Sequence, residues 1–263
     1  MTAKEPSLRT VVLMTDFGQE DWYVGTMKGV IHRVNNQIPI IDLSHEVPAQ
    51  DVHSGAFVLW NAYQFFPSGS VFINVVDPGV GSKRKILAIE TEHYYFLAPD
   101  NGLMDLVLNE EPSAKAVEVN NPEYMLNRVS NTFHGRDVFA PAGAQLASGT
   151  PIEKLGEPIE VPPSTKSLQK ISTPGQYEGE VIYTDTYGNL ISNLQLKAPL
   201  VGVVSISGQR LPLRNTYLAV QPGEPLALKG SNNLIEISVR NGSAKEYFSS
   251  LIGTQVSVDL RFP

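Results

Sequence analysis

Cysteine is absent from the 263 residues. No disulfide and no thiolate metal ligand can form, and redox usage says nothing about the compartment. Cations are in short supply: 20 Lys and Arg against 27 Asp and Glu leave a formal net charge of -7. Phosphate binding wants a basic face, so this balance speaks against a nucleic-acid partner and suits a cationic small ligand. Apolar runs long enough to span a membrane are missing. The opening MTAKEPSLRT lacks the apolar core of a secretory signal. The expectation is a cytoplasmic protein without a membrane partner. Hydrophobic residues make up 42% and charged residues 18%, a globular composition with material for one large domain or two modest ones.

What is there alternates. RTVVLMTDFG, IPIIDLSHEV and SVFINVVDPG read as strands. WYVGTMKGVIHRV and DVHSGAFVLWNAYQFF read as amphipathic helices between them. KILAIET, YYFLAPD and AKAVEV look like further strands, and GLMDLVLNE like a short helix. HGRDVFAPAGAQLASG reads as a helix ending at Gly149, interrupted by Pro141. The unbroken apolar runs VVLM and VFINVV suit strands buried on both faces. The expectation for residues 1–160 is an α/β domain with a central, mostly parallel sheet. From Gly156 to Gly175 the chain turns proline-rich, and residues 161–176 read as a linker. Beyond it helical periodicity disappears, and strands separated by Gly, Pro and Asn turns imply an all-β barrel domain over 177–263.

Ligands of open α/β sheets bind beyond the carboxyl ends of the strands. Asp16 ends the first strand and Asp77 the third, while Asp185 sits at a similar strand end in the β domain. A single such Asp is usually a turn former or helix N-cap, and Asp42 is left with that reading. Two acids over one sheet edge, beside glycine turns, point to a site. In TDFGQEDWYVG, Asp21 suits the positive end of a helix, and Asp16 suits the hydroxyls of a ribose; spacing alone does not choose between them. PGVGSK lacks the phosphate-loop spacing, so its glycines are expected to let backbone approach a ligand. Of Lys83, Arg84 and Lys85, one turning inward could grip Asp77 with two hydrogen bonds. His134, in a glycine-containing turn before a helix, is a candidate for acid/base work, and Arg136 and Asp137 could simply charge that helix end. His45 and His53, with Asp42, Glu46 and Asp51, supply ligand types, but without metal-site spacing, and no metal is expected. TDTYGNLISN and RNGSA are most simply turns.

Taken together, TDFGQEDWYVGTMKG, IDLSHEVPAQDVHSGA, FPSGSVFINVVDPGVGSKRK, APDNGL, NTFHGRDVFAPAGAQLASG, YTDTYGNLISN and ISVRNGSA resemble the S-adenosylmethionine (SAM) hydroxide adenosyltransferases, the water-using relatives of enzymes that fluorinate or chlorinate the same substrate. The resemblance runs from about Val11 to the C-terminus. It implies an α/β domain followed by a β-barrel. It also implies a homotrimer with sites between the N-domain of one subunit and the C-domain of its neighbour. Its implied reaction turns SAM and water into adenosine and L-methionine without a cofactor.

By the same resemblance, Asp77, Arg84 and His134 surround the reacting water. Asp16 holds the ribose hydroxyls, and Asp21 the methionine amino group. Asp185 and Ser231 meet the methionine end. Asn189, Arg240 and Asn241 lie around the adenine. Tyr23 stands where a relative has serine, and Gln50 where one has tryptophan over the sugar. The halogenating relatives have no carboxylate where Asp77 stands, and the segment from Glu90 to Asp100 lacks the extra loop of the fluorinating ones. A halide-using enzyme and a non-catalytic SAM- or adenosine-binding protein are the alternatives.

Overall fold

A computed structural model describes residues 8–165, 167–171, 175–197 and 201–261. The chain divides into two compact units, Met1–Lys166 and Ser167–Pro263.

The first unit is built on a seven-stranded sheet. In chain order its elements are β1 Val11–Thr15, α1 Tyr23–Val34, β2 Ile40–Ser44, α2 Val52–Ala62, β3 Val71–Val75, β4 Ile86–Glu90, β5 Tyr95–Pro99, α3 Asp105–Leu108, β6 Lys115–Val119, α4 Ala140–Ala147 and β7 Gly156–Ile159. The strand order is β2-β1-β3-β5-β4-β6-β7. Every residue of β1 and β3 is buried, as their unbroken apolar character demands. Successive side chains leave opposite faces of a strand. Val11 and Leu13 therefore join one apolar cluster with Met27 and Ile31 of α1 and Ala144 of α4. Val12 and Met14 join a second with Leu59 of α2 and Phe72.

The sheet is mixed, with β4 and β7 running against the other five strands. β1–β2, β1–β3 and β3–β5 pair in parallel, whereas β4–β5, β4–β6 and β6–β7 pair antiparallel. The cause lies in connection length. Only residues 91–94 join β4 to β5, and a parallel pair needs a crossover of about a dozen residues. β7 was hidden from the sequence by Pro158, which sits on the sheet's edge strand, where a missing N–H is tolerated.

The helix expected after His134 opens with a π-helical turn, Gly135–Phe139, and continues as α4. Pro141 lies at the junction where the π-helical turn passes into α4. It does not break the helix.

The second unit contains β8 Gln169–Ile171, β9 Gln176–Thr184, β10 Leu190–Leu196, β11 Val203–Ile206, β12 Gln209–Arg214, β13 Pro225–Lys229, β14 Leu234–Val239, α5 Ala244–Phe248 and β15 Gln255–Asp259. Strands run in the order β14-β13-β12-β11-β15-β9-β10, and β14 also pairs with β10, closing a seven-stranded barrel. β8 lies parallel to β10 outside the closure, within the stretch read as a linker. Val181, Leu190, Val204, Ile237 and Val256 fill the barrel. The unit is not wholly β. Ser243 caps the short helix α5 by accepting from Glu246 N–H, a serine N-cap of ordinary type.

Candidate active site

β1 and β3 are hydrogen-bonded neighbours in parallel, with Thr15 level with Val75. Asp16 and Asp77 therefore leave the same edge of the sheet, one and two residues beyond that pair. Asp16 Oδ2 accepts the Gln50 N–H at 2.7 Å. Gln50 itself has a left-handed φ of 65°.

The chain after β3 folds back so that Arg84 reaches Asp77. Arg84 Nε donates to Oδ1 at 2.9 Å, and Nη2 donates to Oδ2. The two side chains are 4% (Asp77) and 9% (Arg84) exposed, so this is a sheltered, two-pronged ion pair. Asn101 Nδ2 donates to the Val76 carbonyl at 2.9 Å and fixes the strand end just ahead of Asp77.

Gly81 closes the return. Its φ is +78°, and a Cβ there would collide with the backbone carbonyl of Asn131. This glycine makes room for another stretch of chain, the one that leads into His134. Gly79 has neither constraint. To the expectation that these glycines let backbone approach a ligand, Gly81 adds a packing reason of its own.

His134 Nδ1 lies 2.9 Å from Arg84 Nη2. A guanidinium can only donate, so Nδ1 accepts and a neutral ring carries its proton on Nε2. Burial, then the Arg84 charge, push the imidazole below its ordinary 6.5. Asp77, Asp137 and a Ser130 backbone hydrogen bond oppose this without cancelling it. Asp137 is fully buried. It accepts from Arg136 Nε at 2.6 Å and from the Ser130 N–H at 2.8 Å. Burial pushes this carboxyl up, but those hydrogen bonds outweigh it and leave it below the usual carboxylate range. Asp137 does more than charge a helix end, since it ties down the loop that carries His134.

An aromatic wall that the sequence reading missed links the two turns. The Phe133 ring centroid lies 5.9 Å from Phe17, 5.6 Å from Trp22 and 5.1 Å from Tyr23. Phe17 directly follows Asp16, and Phe133 directly precedes His134. The available signal was the placement of an aromatic next to each polar candidate. Tyr23 belongs to this wall, and Asp21 beside it is exposed. Lys83 is exposed, and Lys85 pairs at the surface with Glu118 at 3.5 Å.

In the second unit, Asp185 accepts from the N–H groups of Tyr187 and Asn189 and from Asn189 Nδ2, the turn geometry its sequence suggested. Gly188 packs against Ser243, and the Lys245 N–H donates to the Gly188 carbonyl at 2.9 Å. Asp185 and Asn189 are thereby joined to the turn carrying Arg240 and Asn241. Arg240 Nη1 donates to the Val220 carbonyl at 2.7 Å. Ser231 stands apart. It lies before β14 while Arg240 follows it, and β14 pairs antiparallel with β10. Ser231 therefore sits at the opposite end of the strand from the other four.

His45 is buried, with Nδ1 2.8 Å from Thr15 Oγ1 and Nε2 3.1 Å from Asp42 Oδ1. Asp51 caps α2 by accepting from the Ser54 N–H. Among the described residues no group of three His, Asp or Glu side chains is placed to hold a metal ion, and no helix is long and apolar enough to cross a membrane.

Residues 11–156 match the SAM hydroxide adenosyltransferase N-terminal domain, and residues 179–257 match the corresponding C-terminal domain. The (R)-S-adenosyl-L-methionine hydrolase of Thermus thermophilus is 39% identical over 246 residues, covering 91% of this chain and 95% of that protein. A fluorinase of Actinopolyspora mzabensis is similar at 25% identity over 276 residues, 90% of this chain and 92% of its own. An uncharacterized conserved protein from Thermotoga maritima has a crystal structure that superposes with a TM-score of 0.87 at 33% identity, covering 95% of this chain and all of its own. With both domains matched in order and a hydrolase relative aligned nearly end to end, the chain belongs to the SAM hydroxide adenosyltransferase family.

Proposed function

We propose that this protein hydrolyses SAM to adenosine and L-methionine by attack of water at the ribose C5′. The observation that carries the reading is Arg84 bridging Asp77 and His134 at the edge where Asp16 also emerges. The C5′–O bond forms as the C5′–S bond breaks, and its electron pair goes to sulfur, which leaves as a neutral thioether. One proton is released. The leaving group is good already, so the protein's task is to hold a water about 3 Å from C5′ in line with sulfur.

Arg84 occupies one lone pair on each Asp77 oxygen, leaving one on each to accept from a water. Asp77 then orients the water and takes its proton. His134, with Nδ1 accepting from Arg84, steadies the guanidinium that grips Asp77, and Asp77 is the proton acceptor of the pair. A carboxylate near sulfur also stabilises the ground state, so charge attraction adds little to the rate beyond placement.

A halide fares worse in this setting. At about 4 Å and an effective dielectric of about 20, two negative charges repel by roughly 4 kcal/mol before the Arg84 charge is counted. A halide also has no hydrogen to offer the free lone pairs.

The substrate contacts fall in two groups. Asp16 takes the ribose hydroxyls and Asp21 the methionine amino group, with Tyr23 and Gln50 beside the sugar. Asp185, Asn189, Arg240 and Asn241 take the methionine and adenine ends from the barrel. Ser231 is the weakest member, given its end of β14. A homotrimer, in which a neighbour's barrel completes each site, accounts for candidate residues in both units.

Hydrolysis in ¹⁸O-water tests the reaction. Labelled adenosine at the 5′ oxygen is expected, and unlabelled adenosine contradicts attack at C5′. The same incubation with chloride present is expected to give no 5′-chlorinated nucleoside.

A further inference from the structure

His45 holds both ends of the turn that displays Asp16. Its carbonyl accepts the Gly18 N–H at 2.8 Å. Its ring Nδ1 lies 2.8 Å from Thr15 Oγ1, which in turn accepts the Phe17 N–H at 3.2 Å. Thr15 thus wraps its own turn around Asp16, and His45 clamps that turn on either side. Gly18 takes a left-handed φ of +67° to complete it.

The ring is fixed from behind. Nε2 faces Asp42 Oδ1 at 3.1 Å without the alignment of a full hydrogen bond. Lys28 Nζ on α1 reaches Asp42 Oδ2 at 2.6 Å. Burial pushes the Asp42 carboxyl up, but contacts from Lys28 and His45 bring it below its ordinary value. Facing a carboxylate, Nε2 carries the ring proton, so Nδ1 accepts and the Thr15 hydroxyl donates. A path Lys28–Asp42–His45–Thr15 therefore runs from α1 through β2 to the residue preceding Asp16. Among the described residues the Asp16 carboxylate has one hydrogen bond, from Gln50. Its aim is set by the turn beneath it.

We infer that His45 is a positioning residue for the nucleoside hydroxyls, acting through the turn that carries Asp16 and touching no substrate itself. This rests on the proposed role of Asp16. A group built to accept from a diol discriminates only if its oxygens are held in register with both hydroxyls.

The test compares inhibition by adenosine with inhibition by 2′,3′-dideoxyadenosine, in the wild type, Asp16→Asn, His45→Gln and the double variant. His45→Gln is expected to weaken adenosine about tenfold and dideoxyadenosine by less than about twofold, with KM for SAM raised and kcat within about threefold. The double variant is expected to match Asp16→Asn alone, because the imidazole acts through that carboxylate. If Asp16→Asn weakens adenosine selectively and His45→Gln does not, the inference fails while the ribose role of Asp16 stands. If Asp16→Asn shows no selectivity, that role fails and the inference with it. Effects that multiply in the double variant, or a His45→Gln that lowers kcat at unchanged KM, overturn the inference too. Should His45→Gln not fold, Thr15 carries the test. Thr15→Val is expected to copy the adenosine-selective loss and Thr15→Ser to restore wild-type behaviour; equal behaviour of the two overturns the proposal.

Discussion

The Cβ that Gly81 lacks would overlap the backbone carbonyl of Asn131, three residues ahead of His134. The loop leaving Asp77 and the loop reaching His134 are thus in backbone contact at a position where only glycine fits, and left-handed φ adds to the constraint. Gly81→Ala is expected to lose about 1–3 kcal/mol of stability and to lower kcat by moving His134 off Arg84. Gly79→Ala is the control, because its Cβ would meet Arg84 Cγ and Ser82 Oγ at an ordinary 3.5 Å. Thermal melts of the two variants should separate clearly, and coincident melts would contradict the packing role.

Asp77→Ala is expected to lower kcat by about 10²–10⁴, with SAM affinity changed much less. Removing one member of a buried pair strands the other, at about 3–5 kcal/mol, so Asp77→Asn belongs beside it to keep the shape. Calorimetric binding and steady-state turnover measure the two effects separately. Wild-type turnover in Asp77→Asn would remove the carboxylate from the mechanism.

The depressed His134 basicity has a signature in stability. Its folded-state pKa lies below the unfolded value near 6.5, so between the two the unfolded chain binds more protons. Stability therefore rises with pH through that window and falls as the pH drops below about 6.5. His134→Asn is expected to flatten this slope, read from melting temperatures between roughly pH 5 and 7. Parallel slopes in the two proteins would show that the ring is not held neutral.

Asp77→Ala and Arg240→Ala subunits are each expected to be inactive. Refolded together in equal amounts, they are expected to recover about a quarter of wild-type activity if each site joins neighbouring subunits in a closed ring, since one pairing in four carries both native residues. No recovery, in a mixture whose light scattering shows a trimer, would place each site within one chain.

Much of this was legible because strands and site residues announce themselves in different ways. VVLM and VFINVV marked two-sided burial, and the carboxylates after them marked the sheet edge. Direction within the sheet was not legible. Strands buried on both faces look alike whether parallel or antiparallel, and only the short stretch 91–94 decides for β4 and β5. The acids of Asp77 and Asp16 stood out, whereas the reason for Gly81 lay fifty residues away at Asn131, beyond any local pattern. Ser231 illustrates a different limit. Gly-Ser-Asn-Asn and Arg-Asn-Gly-Ser are both turn-forming runs flanking one strand, and nothing local says which end of the barrel each occupies. His45 in LSHEVP gave no periodic signal, since its importance comes from burial beneath the Asp16 turn.

The level pairing of Thr15 with Val75 has a metric consequence. The strand ends that lead to the two carboxylates are held in register by rungs of backbone hydrogen bonds, so the sheet acts as the frame of a caliper. With Asp16 and Asp77 in the roles proposed above, one jaw would grip the sugar diol and the other would aim the solvent molecule. On the proposed reading, an analogue with one additional methylene between sugar and sulfur would still be seized by the first jaw. Its electrophilic carbon would overshoot the second, making it a competitive inhibitor that the enzyme cannot cleave.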